Sequence, residues 1–198
     1  MRSRRARAAL AAAGLLTLGA TAAQAAPPDA VTMMAGTCVG CHGMNGTSLG
    51  PASPTIAGMA EDTFIDAMKS FQDGSRPATV MDRIAKGYTE DEIKQMAAYF
   101  AKLPFGRAPN KVDAAKVKVG QKLHNEFCKK CHVDNGKKDE DGSNVLAGQW
   151  LPYLQFAMDD FTSGKRRMEK KMKGQVEDVQ KKDPGGLEAL MHFYASQK

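Results

Sequence analysis

Beyond its N-terminal leader the chain has no run of roughly 18 uninterrupted apolar residues, the length a membrane-spanning helix needs, so a membrane-embedded body is excluded. Strand-like alternation of apolar and polar residues is scarce as well, which argues against a sheet protein. Aromatic residues are only 7% of the chain, and the strongest basic run, KRRMEKKMK at 165–173, contains none. A nucleic-acid surface would combine basic and aromatic residues, so this run reads as a solvated face. Net charge is also small where it counts. Arg2, Arg4, Arg5 and Arg7 supply four of the six net positive charges, and without them the chain is near +2.

Those arginines open MRSRRARAALAAAGLLTLGATAAQAAPPDA, a basic start followed by a short Ala/Leu/Gly run and the small-residue sequence Ala23-Gln24-Ala25. This is the layout of a secretory signal peptide over residues 1–25, with cleavage after Ala25, and it implies an exported, soluble protein.

What is present is an internal repeat. A shift of 90 positions carries Cys38, Cys41, His42, Gly46, Ala57, Gly58, Ala67, Met68, Phe71 and Gly74 onto Cys128, Cys131, His132, Gly136, Ala147, Gly148, Ala157, Met158, Phe161 and Gly164. Such self-similarity marks two copies of one structural unit. IKQMAAYFA from Ile93 and LEALMHFYA from Leu187 both place apolar residues at i, i+3, i+4 and i+7, the pattern of an amphipathic helix. Thr89 and Glu92 form a capping-box signature ahead of the first of these. Further helices are expected before each cysteine pair, with Val31, Met34, Ala35 and Cys38 on one face and Gly120, Leu123 and Phe127 on its counterpart. The segment LPFGRAPNKVDAA at 103–115 carries Pro, Gly and Asn and reads as a connection. The expected organisation is all-α: an N-terminal domain over 26–105, a linker over 106–115 and a C-terminal domain over 116–198. Each unit of about 80 residues is marginal by surface-to-volume scaling unless a large group is buried with it.

The cysteines indicate that group. All four lie in CVGCH (38–42) and CKKCH (128–132). Two disulfides would leave the adjacent histidines unexplained. A zinc site needs four ligands, which one such trio cannot supply. Covalent haem accounts for the whole motif: Cys38 and Cys41, and Cys128 and Cys131, one helical turn apart, add to the two vinyl groups, while His42 and His132 reach the iron. Two haem c groups are therefore expected.

A methionine thioether as sixth ligand would close each iron and favour electron transfer over small-molecule chemistry. Met81 is the first candidate, because MDRIAKGYTED from 81 echoes MEKKMKGQVED from 168. Met168 is favoured by that echo, with Met172 one turn further along as its rival. His124 and His192 are expected to be surface or half-buried residues and not ligands. Pro51 is expected to lend a neighbouring carbonyl to His42. Trp150, Tyr153 and Phe156 are expected to pack in the core, against a porphyrin or between domains.

The phrases CVGCHGMNGTSLGPASPTIAGM, MDRIAKGYTEDEIKQMAAYF, CKKCHVDNG, LAGQWLPYLQFAMDDF and FYASQ resemble the diheme cytochrome subunit of flavocytochrome c sulfide dehydrogenase. The resemblance implies two class I-like cytochrome c domains with distal ligands Met81 and Met168. It implies as partners a flavoprotein subunit that carries FAD and oxidises sulfide, and a soluble electron acceptor such as a small cytochrome c. No residue of this chain would then do the sulfide chemistry. A proline expected before the second methionine is absent, since Met168 follows Lys165-Arg166-Arg167 directly. A free-standing diheme carrier serving a terminal oxidase is the alternative. A diheme peroxidase would need one iron to open, and no extra histidine-rich loop offers that.

Overall fold

A computed structural model describes residues 29–139 and 142–198, so the expected signal peptide lies outside the described residues. Every regular element among them is helical. In the first half, α1 (Ala30–Gly36) is capped by the Asp29 carboxylate, which accepts from the Thr32 amide at 2.8 Å. It leads through Cys38 into the single turn α2 (Val39–His42). Then follow α3 (Glu61–Gln72), the short α4 (Met81–Ile84) and α5 (Glu90–Ala101). The expected capping box is formed: Glu92 N–H donates to the Thr89 hydroxyl and the Thr89 amide to the Glu92 carboxylate. α5 turns Ile93, Met96, Ala97 and Phe100 inward against Phe64 and Met68 of α3 and Ala35 of α1. Each large side chain so buried contributes roughly 1.5–3 kcal/mol.

The second half repeats the plan with α6 (Ala114–Leu123), the turn α7 (Val133–Gly136), α8 (Leu151–Thr162), α9 (Lys170–Lys182) and α10 (Gly186–Ser196). α6 opens at Ala114, inside the segment read as linker, because Asp113 accepts from the Ala115 and Lys116 amides. Its core gathers Leu123, Leu154, Val179, Leu190, Phe193 and Tyr194. α6 and α10 cross so closely that a Cβ on Gly120 would lie 2.1 Å from the Ala189 carbonyl oxygen.

The repeat extends to single backbone bonds. Ile56 and Ala57 donate to the Gly46 carbonyl as Leu146 and Ala147 do to that of Gly136. Asn45 and Asn135, just before those glycines, both take left-handed backbone at φ 54° and 57°, a conformation asparagine tolerates better than most residues.

The echo behind Met81 and Met168 does not persist. In the first half it covers α4, a tight turn at Ala85–Gly87 and the Thr89 cap. In the second it is swallowed by α9, which runs unbroken from Lys170 to Lys182. Where the first copy has the capping Thr89, the second has Val176, a buried apolar residue that offers no cap.

The connection between halves lies on the second. Ala108 N–H donates to the Gly148 carbonyl at 2.7 Å, and the Asn110 amide bonds the carbonyls of Gln149 and Ala195. The halves also meet directly. The Gln149 side chain accepts from the Thr55 amide (2.9 Å) and donates to the Thr55 carbonyl (3.0 Å), both residues being buried. Trp150 lays its ring on Gly50 and donates its indole N–H to the Ser48 carbonyl. Asp139 accepts from the Ala60 amide and the Thr63 hydroxyl. Trp150 and Tyr153 therefore serve the seam between halves, whereas Phe156 is exposed.

Candidate functional site

Two thiol pairs, each closed by a histidine, sit on matching turns. Cys41 and His42 donate their amides to the Cys38 carbonyl at 3.3 and 2.9 Å, and Cys131 and His132 to that of Cys128 at 3.2 and 2.9 Å. A single helical turn thus presents two sulfurs and an imidazole together. All four thiols are free; Cys41 and Cys131 are exposed, while Cys38 and Cys128 are half-buried. Burial pushes the Cys38 thiol up and that of Cys128 to about 11, as expected when the charged form is desolvated.

The two histidines differ in what holds them. His42 Nδ1 lies 2.8 Å from the Pro54 carbonyl oxygen. The carbonyl that meets the His42 ring is that of Pro54, and not one adjoining Pro51 as expected. His132 Nδ1 is buried with no hydrogen-bond partner. Burial holds both imidazoles below their ordinary value, His132 down to about 4, with His124 a smaller contributor. Both are therefore neutral near pH 7, the form in which imidazole ligates a metal.

Met81 is half-buried at the start of α4 and packs on the cluster that holds Cys38. Its neighbours Val80 and Ile84 leave apolar surface that the polypeptide does not cover. Met168 is half-buried just before the Glu169 cap of α9 and lines an open recess with Phe161, Arg166 and Val176. Met172, also half-buried, sits in the first turn of α9.

The donor set fits a covalently attached porphyrin. Among the described residues no three of His, Cys, Asp and Glu converge on a point that could hold an ion by themselves, whereas paired free thiols, neutral imidazoles and uncovered apolar surface match haem c.

His124 and His192, expected near the surface, are buried. His124 Nδ1 is 3.0 Å from the Tyr194 hydroxyl, and His192 Nδ1 accepts from the Asp113 amide at 3.1 Å. Arg76 and Arg166 went unnoticed in the sequence although the 90-residue offset relates them. Each guanidinium stacks on its own phenylalanine, Phe71 at 4.6 Å and Phe161 at 4.1 Å. Arg76 also donates to the Tyr153 hydroxyl across the seam at 3.2 Å. Burial and the proximity of Arg76 bring Arg166 down to about 10.

Two all-α halves, each built around a Cys-x-x-Cys-His turn, define a c-type cytochrome. No family model matches the chain. Cytochrome c4 of Pseudomonas aeruginosa is 32% identical over 161 residues, spanning 77% of this chain and 80% of that protein. The cytochrome subunit of sulfide dehydrogenase from Chlorobaculum tepidum is 41% identical over 95 residues, 46% of this chain and 84% of that protein. The crystal structure of reduced recombinant cytochrome c4 from Pseudomonas stutzeri superposes with a TM-score of 0.72, 23% identity and coverage of 85% of this chain and 98% of that one. The chain belongs to the diheme cytochrome c family. Its halves have the class I cytochrome c fold, and it is an electron carrier with covalently bound haem c.

Proposed function

We propose that the chain is the periplasmic diheme subunit that takes electrons from an FAD-containing, sulfide-oxidising flavoprotein and passes them to a soluble acceptor such as a small cytochrome c. In this reading residues 26–105 and 116–198 are its two haem domains, joined by 106–115. Cys38 and Cys41 hold one haem, Cys128 and Cys131 the other. When bound, each haem supplies an iron that takes up and releases one electron. His42 and His132 would supply neutral imidazole nitrogens to the iron, and Met81 and Met168 soft thioether sulfurs. A closed iron with these ligands needs little rearrangement on electron transfer.

The observation that carries the sulfide assignment is the 41% identity to a sulfide dehydrogenase cytochrome subunit, higher than the 32% to cytochrome c4. A free-standing carrier is favoured by one fact, that the cytochrome c4 match spans far more of this chain. Purification from the native periplasm separates the two. Flavin absorbance co-eluting with two haems, and sulfide-dependent reduction of both, supports the first. A haem protein eluting alone at its own mass, unreduced by sulfide, overturns it in favour of the second.

A further inference from the structure

Around their thiol pairs the halves differ not only in what meets His42 and His132 but at one further place. Phe100 and Tyr194 are structural equivalents. The Gly58 amide donates to the Phe100 carbonyl at 2.9 Å and the Gly148 amide to that of Tyr194 at 2.8 Å. Each ring also faces the corresponding glycine: a Cβ on Gly46 would meet Phe100 Cδ1 at 2.9 Å, and one on Gly136 would meet Tyr194 Cδ1 at 3.0 Å. Met34 and His124 are equivalents by the same offset that aligns the thiols. The first half thus uses Met34 and Phe100, both apolar, and the second uses His124 and Tyr194.

Packing alone gives no reason for the exchange. Burying an imidazole and a phenol costs free energy that a methionine and a phenylalanine do not incur, unless each polar group is bonded. Here they are bonded to each other, beside the turn that carries Cys128 and His132. His124 is 1% and Tyr194 2% exposed. Besides its 3.0 Å contact with His124 Nδ1, Tyr194 belongs to the apolar cluster against which Cys128 packs, so its ring and hydroxyl lie beside that side chain. Its ring meets that of His132 edge-on at 6.0 Å between centroids. His124 is carried by a π-helical turn over His124–Cys128, closed by the Lys129 amide on the His124 carbonyl. Such turns are rare and are frequent at functional sites. The first half has none at the corresponding residues.

We propose that Tyr194, positioned by His124, tunes the second haem site by donating its hydroxyl hydrogen to the Cys128 sulfur, so that the haem at 128–132 has a higher reduction potential than the apolar setting of the first half would give it. This rests on the reading that both motifs carry haem. Once its sulfur is bonded to carbon, Cys128 can only accept a hydrogen bond. His124 Nδ1–H then donates to the phenol oxygen, and the phenol O–H points at the sulfur. The positive end of that dipole favours the reduced state, the one with the additional electron, and burial keeps the interaction strong.

The test uses the haem-loaded protein and three variants: Y194F, H124M, and the pair H124M/Y194F, which writes the first half's own residues into the second. Haem content is read by mass spectrometry and the two one-electron steps by spectroelectrochemical titration. With Y194F or the pair, one step moves to lower potential by at least threefold in its equilibrium constant, about 28 mV at 59 mV per decade for one electron, while the other step stays put. H124M moves the same step in the same direction by less. Both steps unmoved, both moved equally, or a step that rises overturns the proposal. Y194F, which removes a single oxygen atom, decides the matter if the double variant is not recovered with both haems. A parent protein with fewer than two haems defeats the underlying site reading instead, whatever the potentials do.

Discussion

Replacing Gln149 by methionine, which keeps the side chain's length but none of its hydrogen-bonding groups, should both weaken the protein and loosen its halves from one another. In the native fold the Gln149 amide satisfies the Thr55 N–H and C=O together, and both residues are 2% exposed. Losing a buried hydrogen bond costs about 1 kcal/mol net, and leaving a buried donor or acceptor unpaired costs roughly 1–3 kcal/mol. With the Thr55 N–H and C=O stranded, and the Trp150 N–H losing the same Gln149 oxygen at 3.2 Å, Q149M should lose about 2–5 kcal/mol. Because each half has its own apolar cluster, the loss falls on the coupling between them. Guanidinium unfolding of the haem-loaded protein, followed by Soret absorbance, should show an earlier midpoint and a transition that broadens or splits in two. If Q149M unfolds within about 0.5 kcal/mol of the parent in one equally sharp transition, the reciprocal Thr55 pairing does not hold the halves together.

Alanine at Gly120 would place a methyl group 2.1 Å from the Ala189 oxygen and 2.7 Å from Phe193 Cβ. α6 and α10 must then separate, with an expected loss of about 1–3 kcal/mol; a melting temperature equal to the parent's would contradict this. M81A and M168A should each open one iron, so that the reduced protein binds carbon monoxide at one haem, while M172A should not. Carbon monoxide binding by M172A and its absence in M168A would transfer the ligand role to Met172. Asp113 caps α6, and the Lys116 and Ala115 amides hold its carboxylate below the usual range. Its folded value is depressed, so its contribution is present above the unfolded value and is lost as pH falls through the folded one. The stability advantage of the parent over D113N, whose cap does not titrate, should shrink as pH falls through and below the ordinary aspartate value of 3.8; a constant or growing advantage would refute the assignment.

The local features were legible because their signal is local. A Cys-x-x-Cys-His run places its groups on one turn whatever surrounds it, and the spacing in α5 and α10 marks their buried faces without knowledge of what they pack against. The echo between Met81 and Met168 does not extend to secondary structure: Val176 in place of Thr89 removes the cap and the helix runs on.

Composition, repeat and motif by themselves determined that this is a helical protein of two related units, each with thiols and an imidazole arranged for haem. Only the folded chain decided that Pro54 receives the His42 ring, that His124 and Tyr194 bury a polar pair beside Cys128, and that Gln149 joins the halves through Thr55. Those contacts link residues 12, 70 and 94 positions apart. Partners at such separations leave no periodicity to read along the chain, because closing long loops onto particular hydrogen-bond geometries is the work of the packed core and not of local preference.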